Sequence, residues 1–298
     1  MKISIITITL DSELTIRDTL NSVLSQTYKN IEHIIIDGGS KDSTQKILNR
    51  YPNKNKKIFI RKKTNIYQAM NIGINKASGK YIAILNSDDI YQNDEIVENV
   101  VKEIKKNKYS KIFLGNLVYF KSNNYFNIVR HYHAKEFKPW MIKYGVMPPH
   151  PASFISRDVY NQYGLYNENY KIASDFDIFL RLLYIHKLKY KIIDKTIVRM
   201  RTGGVSGKNF NSYLIINKEI QKSFRDNNLD NNYFRFLFRI PSKIKQLIFF
   251  NKEKLNKNFE LSKLNFDKNR LFKNNFNIIS KVKYIPFNKN FILSGMNL

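Results

Sequence analysis

The chain has 298 residues, 43% of them hydrophobic, enough for one large domain with an appendage or for two modest ones. It has no cysteine, which excludes disulfides, thiolate metal sites and a cysteine nucleophile, and no run of about 18 apolar residues that would span a bilayer. The formal charge of +27, from 51 basic and 24 acidic residues, draws such a chain toward polyanions but does not choose among nucleic acid, anionic lipid and phosphorylated substrates.

The N-terminus, MKISIITITLD, lacks a small-residue cleavage site and reads as a first strand, Ile3 to Thr9, rather than a signal peptide. Asp11 or Ser12 is placed to cap a helix whose apolar positions Ile16, Leu20, Val23 and Leu24 keep helical spacing. Ile31 to Ile36 is a second buried strand, running straight into Asp37-Gly38-Gly39-Ser40, and Ser40 or Asp42 starts a short helix toward Leu48. Lys57 to Ile60 is a third strand. Tyr67 to Ala77 is a helix that Gly79 ends. Tyr81 to Leu85 is a fourth strand, followed at once by Asn86-Ser87-Asp88-Asp89, and Glu95 to Lys106 is an amphipathic helix.

This alternation predicts an α/β fold, a mostly parallel sheet with helices on both faces. Ligands of such sheets bind beyond the carboxyl ends of the strands, where both acidic loops fall. After Lys111 the pattern changes. Ile112 to Phe120 and Tyr125 to His131 read as a ribbon, Pro139 to Tyr144 as a helical turn, and Ala152 to Ile155 as a strand. Asp175 to His186 reads as a helix, Lys191 to Val198 as a strand, and Thr202 to Gly207 as a loop. We expect one domain over 1–215 and a basic, mainly helical extension over 216–298.

Two adjacent carboxylates in a turn repel one another and are eased by a cation. Asp88-Asp89 after a buried strand therefore suits an oxygen-ligated Mg²⁺ or Mn²⁺, completed by phosphate oxygens and water. Alone, such a pair is more often a solvated turn; Asp37 at a neighbouring strand end reverses that preference. Asp37 sits on a backbone able to approach a base or ribose closely, or it ends a plain strand-to-helix turn. Asp175 opens an apolar helix, where it fits either an N-cap or a general base. His150, between prolines, and Arg201, beside Gly203-Gly204, are candidates for diphosphate or acceptor contacts, with a structural role the commoner alternative for each.

Taken together, ISIITIT, SVLSQTYKNIEHIIIDGGSKDST, IYQAMNIGINKASGKYIAILNSDD, HPASFISRDVYNQYGLYNENYKIASDFDIFLRL and GGVS resemble, in order, the family-2 glycosyltransferases of bacterial surface-polysaccharide synthesis. The resemblance covers about two thirds of the chain, Met1 to Gly207. It implies the GT-A fold and inverting transfer from a nucleotide-sugar, with UDP the common nucleotide. The acceptor it implies is a hydroxyl of a glycan or lipid-linked oligosaccharide in capsule, O-antigen or lipooligosaccharide synthesis. It assigns Asp37 to the base, Asp88 to the ribose or diphosphate side, Asp89 to the metal (Mn²⁺ or Mg²⁺), Asp175 to general-base catalysis, and Thr9 and Asp11 to the nucleotide pocket. The chain departs from the family at Asp11, where Asn is usual. It also departs in Arg61-Lys62-Lys63-Thr64-Asn65-Ile66-Tyr67-Gln68-Ala69-Met70-Asn71, where Lys63 and Gln68 replace acids on the nucleotide side.

From Asn231 to Leu298 there are 14 Lys and Arg against 3 Asp and Glu, and Tyr233 to Phe250 alternates aromatic, aliphatic and cationic residues. That segment suits an anionic membrane surface, so a cytoplasmic protein peripheral to the inner face of the membrane is expected. Two other readings remain at this point. One is a degenerate nucleotide-sugar-binding module, motivated by Lys63 and Gln68. The other is a basic nucleic-acid-binding protein, although no recognition motif is visible and no specific nucleic acid is expected.

Overall fold

The computed structural model describes residues 1–121, 124–203 and 210–229. The N-terminal half builds as the alternation predicts. Strand β1 (Ile3–Thr9), β2 (Ile31–Asp37), β3 (Lys56–Ile60) and β4 (Tyr81–Ile84) are joined by helices α1 (Ile16–Leu24), α2 (Thr44–Arg50) and α3 (Ile66–Lys76). All four strands are parallel, in the order β3-β2-β1-β4. Every residue of β1 and β2 is buried, which is why both read as unbroken apolar runs. Alternation divides β1 between two cores. Ile6 and Ile8 face α3, while Ile3 and Ile5 join Val97, Val100 and Val101 of α4 (Ile96–Lys106). Gly73 of α3 lets that helix lie directly on β1, since a Cβ there would come within 2.5 Å of Ile6 Cγ2.

The second half turns the sheet mixed. The ribbon strands β6 (Ile112–Lys121) and β7 (Asn124–Tyr132) are antiparallel, and β9 (Tyr190–Arg201) runs parallel to β6. Strand β8 (Ser153–Ser156) lies antiparallel between β4 and β6, and the two-residue β5 (Ile90–Tyr91) closes the far edge against β9. The remaining helices are α5 (Arg157–Tyr163), α6 (Ser174–Phe179) and α7 (Phe210–Asp226). Helix α7 runs through the expected boundary at 215 and packs back on α6 with Ile220 and Phe224 buried.

Several local expectations need correction. Neither Asp11 nor Ser12 caps α1 with its side chain; the Ser12 carbonyl accepts from the Thr15 and Ile16 amides, and Asp11 reaches another loop. Leu24, the last residue of α1, is 40% exposed although its neighbour Val23 is buried. Helix α3 ends at Lys76, and Gly79 instead brings the chain against β1, where a Cβ would sit 2.5 Å from Ser4 Oγ. The helix expected over Asp175 to His186 is α-helical only to Phe179 and continues as a π-helix over Leu180–Ile185. The short β5 and α5 carry too few residues to show a period, and the sequence reading missed both.

Candidate active site

The parallel strands end together. Thr9 pairs in register with Asp37, and the ladder continues beyond both strand ends. There the Gly38 amide donates to the Thr9 carbonyl (2.9 Å), Arg61 to Asp37 (2.8 Å) and Leu85 to Ile6 (2.9 Å). Thr9, Asp37 and the Asn86–Asp89 turn therefore share one edge of the sheet, as expected of acidic loops at strand carboxyl ends.

Asp37 is fully buried, and its carboxylate accepts from the Ser40 amide, the Ser40 hydroxyl and Gln45 Nε2 (2.7 Å). Gly39 makes this turn possible: its φ is +93°, a left-handed value that costs a side-chain-bearing residue about 1 kcal/mol or more. Asp11 is also left-handed, at φ +46°, which Asp and Asn tolerate best. Its Oδ1 accepts from the Lys41 amide (2.7 Å), so Asp11 ties the loop after β1 to the loop after β2.

The Asn86–Asp89 turn is held from beneath by α1. Thr19 donates to the Asp89 carbonyl (2.7 Å), and the Ser12 and Ser87 hydroxyls are 2.8 Å apart. Arg201, at the end of β9, is buried over the Phe120 ring (4.9 Å), pairs with Asp18 (3.1 Å), and reaches the Asp88 carbonyl at 3.4 Å. Asp89 is fully buried; Oδ2 accepts from Asn86 Nδ2 (3.1 Å), while Oδ1 has no hydrogen-bond partner. Burial first and the neighbouring Asp88 charge second push its carboxyl well above the ordinary range, against the pull of Asn86 and Arg201. Asn86 Oδ1 and Thr9 Oγ1 are also buried without partners. Orphaned oxygens beside two carboxylates form a donor set suited to a hard divalent cation. Among the described residues no three His, Asp, Glu or Cys side chains cluster as a metal site.

Across the site, α6 presents two acids with different fates. Asp177 is buried and committed to Arg181 (2.9 Å), Ser223 (2.7 Å) and Asn227 (3.2 Å). Asp175 is half-buried in the first turn, its Oδ1 accepting from the Phe176 amide (2.8 Å). It is not the N-cap, a position held by Ala173. The preceding chain rests on Tyr67, whose hydroxyl donates to the Ile172 carbonyl and whose ring stacks on Tyr166 (6.0 Å). His150 is 5% exposed, its Nε2 lies 2.6 Å from the Tyr166 hydroxyl, and Phe179 packs against its ring. Burial holds its pKa down at about 4, so it is neutral at pH 7.

Tyr119 on β6 was not singled out from the sequence. Burial raises its phenol pKa and Arg130 opposes this, while Asp89 and Asp175 both push it further up, so both carboxylates lie within electrostatic reach of this one side chain. Arg130, its partner in the β6–β7 register, stacks over its ring at 4.7 Å. An aromatic residue within a ribbon strand looks like ordinary sheet packing, so no sequence signal marked it. The departures near α3 also find a local use. Gln68 closes a capping box with Asn65, its Oε1 accepting from the Asn65 amide (2.9 Å) while the Gln68 amide donates back to Asn65 Oδ1 (2.8 Å). Lys63 is exposed, with φ +60°.

The sheet is mixed, with acidic turns at the carboxyl ends of its parallel strands. The Glycosyl transferase family 2 model matches residues 4–164, and the chain belongs to that family. It is a glycosyltransferase. A PGL/p-HBAD biosynthesis glycosyltransferase of Mycobacterium bovis (strain BCG / Pasteur 1173P2) is 29% identical over 181 residues, covering 60% of this chain and 68% of the relative. Glycosyltransferase GlyA of Streptococcus pneumoniae is 32% identical over 133 residues, 43% of this chain and 19% of that one. Among solved structures, S. aureus TarS 1–349 in complex with UDP-GlcNAc superposes with a TM-score of 0.60 at 21% identity, covering 75% of this chain. The chain spans 66% of that TarS fragment and 40% of a longer TarS chain. The fold is therefore the Rossmann-like GT-A fold.

Proposed function

We propose that this glycosyltransferase moves a sugar from a UDP-sugar to a hydroxyl of a glycan or lipid-linked acceptor, with inversion at the anomeric carbon. The observation that carries the reading is the buried Asp89 carboxylate, its Oδ1 and the neighbouring Asn86 Oδ1 unpartnered, in the turn that follows β4 at the carboxyl ends of the parallel strands. A neighbouring structure was solved with UDP-GlcNAc, which supports UDP as the nucleotide.

In this account Thr9, Asp11 and Asp37 line the nucleotide side at the ends of β1 and β2. Asp88 and Asp89, with Asn86 Oδ1 and diphosphate oxygens, would hold Mn²⁺ or Mg²⁺, which when bound offsets negative charge on the departing diphosphate. Arg201 buttresses that turn from β9. Asp175 takes the proton from the acceptor hydroxyl, whose oxygen then bonds to the anomeric carbon as the bond from that carbon to the diphosphate oxygen breaks and UDP leaves with the electron pair. Tyr119 and Arg130 form the wall between the two halves. His150 supports the Tyr67–Tyr166 stack through its bond to Tyr166. Participation in surface-polysaccharide synthesis is the wider role the family resemblance suggests.

Peripheral attachment to the cytoplasmic face of the membrane belongs to the same reading. The segment from Tyr233 to Phe250 that suggests it lies outside the described residues. No helix among the described residues is long and apolar enough to cross a membrane. A panel of UDP-, GDP- and dTDP-sugars, assayed with Mn²⁺ and with chelator, tests the function. Metal-dependent release of UDP is the expected result. Absence of both release and metal-dependent nucleotide binding would leave a degenerate module.

A further inference from the structure

Helix α6 starts without a local cap: Ala173 holds the N-cap position and has no side chain able to accept a hydrogen bond. The amides of the N-cap residue and of the two residues before it are instead taken by a carboxylate 46 residues beyond the N-cap. On α7, Glu219 Oε1 accepts from the Lys171 amide (2.6 Å), and Oε2 accepts from the Ile172 and Ala173 amides (both 2.9 Å). Three consecutive main-chain donors in the segment leading into α6 converge on one carboxylate, a geometry that fixes the direction of that backbone. The Tyr67 hydroxyl holds the Ile172 carbonyl from α3, and Asp226 accepts from Tyr170 (2.9 Å). The loop is thus gripped on its donors by α7 and on its acceptor by α3. The second residue beyond these donors is Asp175.

We propose that Glu219 is a positioning residue for the transfer reaction: it sets the backbone of residues 171–173 and thereby the direction in which Asp175 meets the acceptor hydroxyl. This rests on Asp175 being the general base. Both Glu219 carboxylate oxygens are taken by main-chain amides, so its effect is expected on the chemical step rather than on donor binding. A carboxylate is required, because glutamine has one oxygen for three amides and turns its own N–H₂ toward donors. Aspartate keeps both oxygens on a shorter arm and restores part of the function.

The experiment compares Glu219→Gln, Glu219→Asp and Asp175→Asn in the full chain. It uses UDP release from the sugar nucleotide that the wild-type chain turns over, UDP binding by calorimetry, and amide hydrogen exchange. For Glu219→Gln we expect kcat to fall between about 10- and 100-fold, with donor KM and UDP affinity within about twofold of wild type. Exchange should rise in peptides containing residues 171–173, and Glu219→Asp should recover part of kcat. Wild-type kcat in Glu219→Gln beside an inactive Asp175→Asn overturns this proposal alone. Wild-type turnover in Asp175→Asn removes the general base and this proposal with it. Loss of kcat together with UDP binding, without rescue by aspartate, would make Glu219 a folding residue and overturn its positioning role.

Discussion

Asp89 holds a buried carboxylate with one oxygen bonded to Asn86 and the other unpartnered, which is costly for the charged form. Replacing it with Asn keeps the shape and removes the charge. Asp89→Asn should therefore fold with a thermal midpoint at or above that of the wild type in chelator. Its Mn²⁺-dependent UDP affinity should fall at least about tenfold, since the metal site loses its charged ligand. A midpoint several degrees lower would show that the carboxylate serves the fold instead. Asp88 and Asp89 were legible as a pair because adjacent acids after a buried strand are rare in a core. That Asp89 rather than Asp88 is the fully buried member depends on Thr19 pulling the Asp89 carbonyl down onto α1, a contact spanning 70 residues. Asp18 and Arg201 escaped a joint reading for the same reason: their ion pair joins residues 183 positions apart.

The elements are fastened to one another away from the site by Glu32 of β2. Its carboxylate accepts from Ser4 (2.6 Å), from the Ser78 amide (2.6 Å) and hydroxyl (2.9 Å), from the Gly79 amide (3.0 Å) and from Lys57 (2.8 Å), joining β1, β3 and the end of α3. Burial alone would raise its pKa, but the Lys57 charge and the Ser4 and Ser78 hydrogen bonds outweigh that and hold it at about 2. Since the folded value lies below the ordinary one of 4.5, the stability it contributes is present above pH 4.5 and is lost as pH falls toward 2. Glu32→Gln should cost about 2 kcal/mol at pH 7, as read by urea unfolding, and the cost should vanish near pH 2. An equal cost at both pH values would contradict this assignment. Close packing makes a second prediction: Gly73→Ala should cost about 1–3 kcal/mol, because the added methyl meets Ile6 on a strand with no room to yield. A neutral Gly73→Ala would mean that α3 can lift off β1.

At the scale of the whole molecule, the two halves of the chain build one mixed sheet whose order runs β3-β2-β1-β4-β8-β6-β9-β5. The first four strands were legible because each is a short apolar run followed by a turn and an amphipathic helix. The second half was legible only as a list of elements. The antiparallel insertion of β8 between β4 and β6 leaves no periodic signature, and Ser153–Ser156 is too short to announce its neighbours. The proposed site shows the same division. Asp37, Asp88, Asp89 and Asp175 are candidates that their local setting and the family resemblance single out, whereas Tyr119, Arg130 and Glu219 stand out only through contacts that sequence spacing does not encode. Gln68, an apparent departure on the nucleotide side, caps a helix, and only the bonds to Asn65 reveal it.

The central claim is that one sheet edge divides the work: the Asp88–Asp89 turn holds the donor, and Asp175 acts on the acceptor. It is tested most directly by measuring UDP affinity with Mn²⁺, and turnover of the UDP-sugar, in Asp175→Asn and Asp89→Ala side by side. We predict that Asp175→Asn binds UDP within about threefold of wild type while turnover falls by about 10²- to 10⁴-fold. Asp89→Ala should lose both metal-dependent binding and turnover. Wild-type turnover in Asp175→Asn, or wild-type metal-dependent UDP binding in Asp89→Ala, would contradict the account.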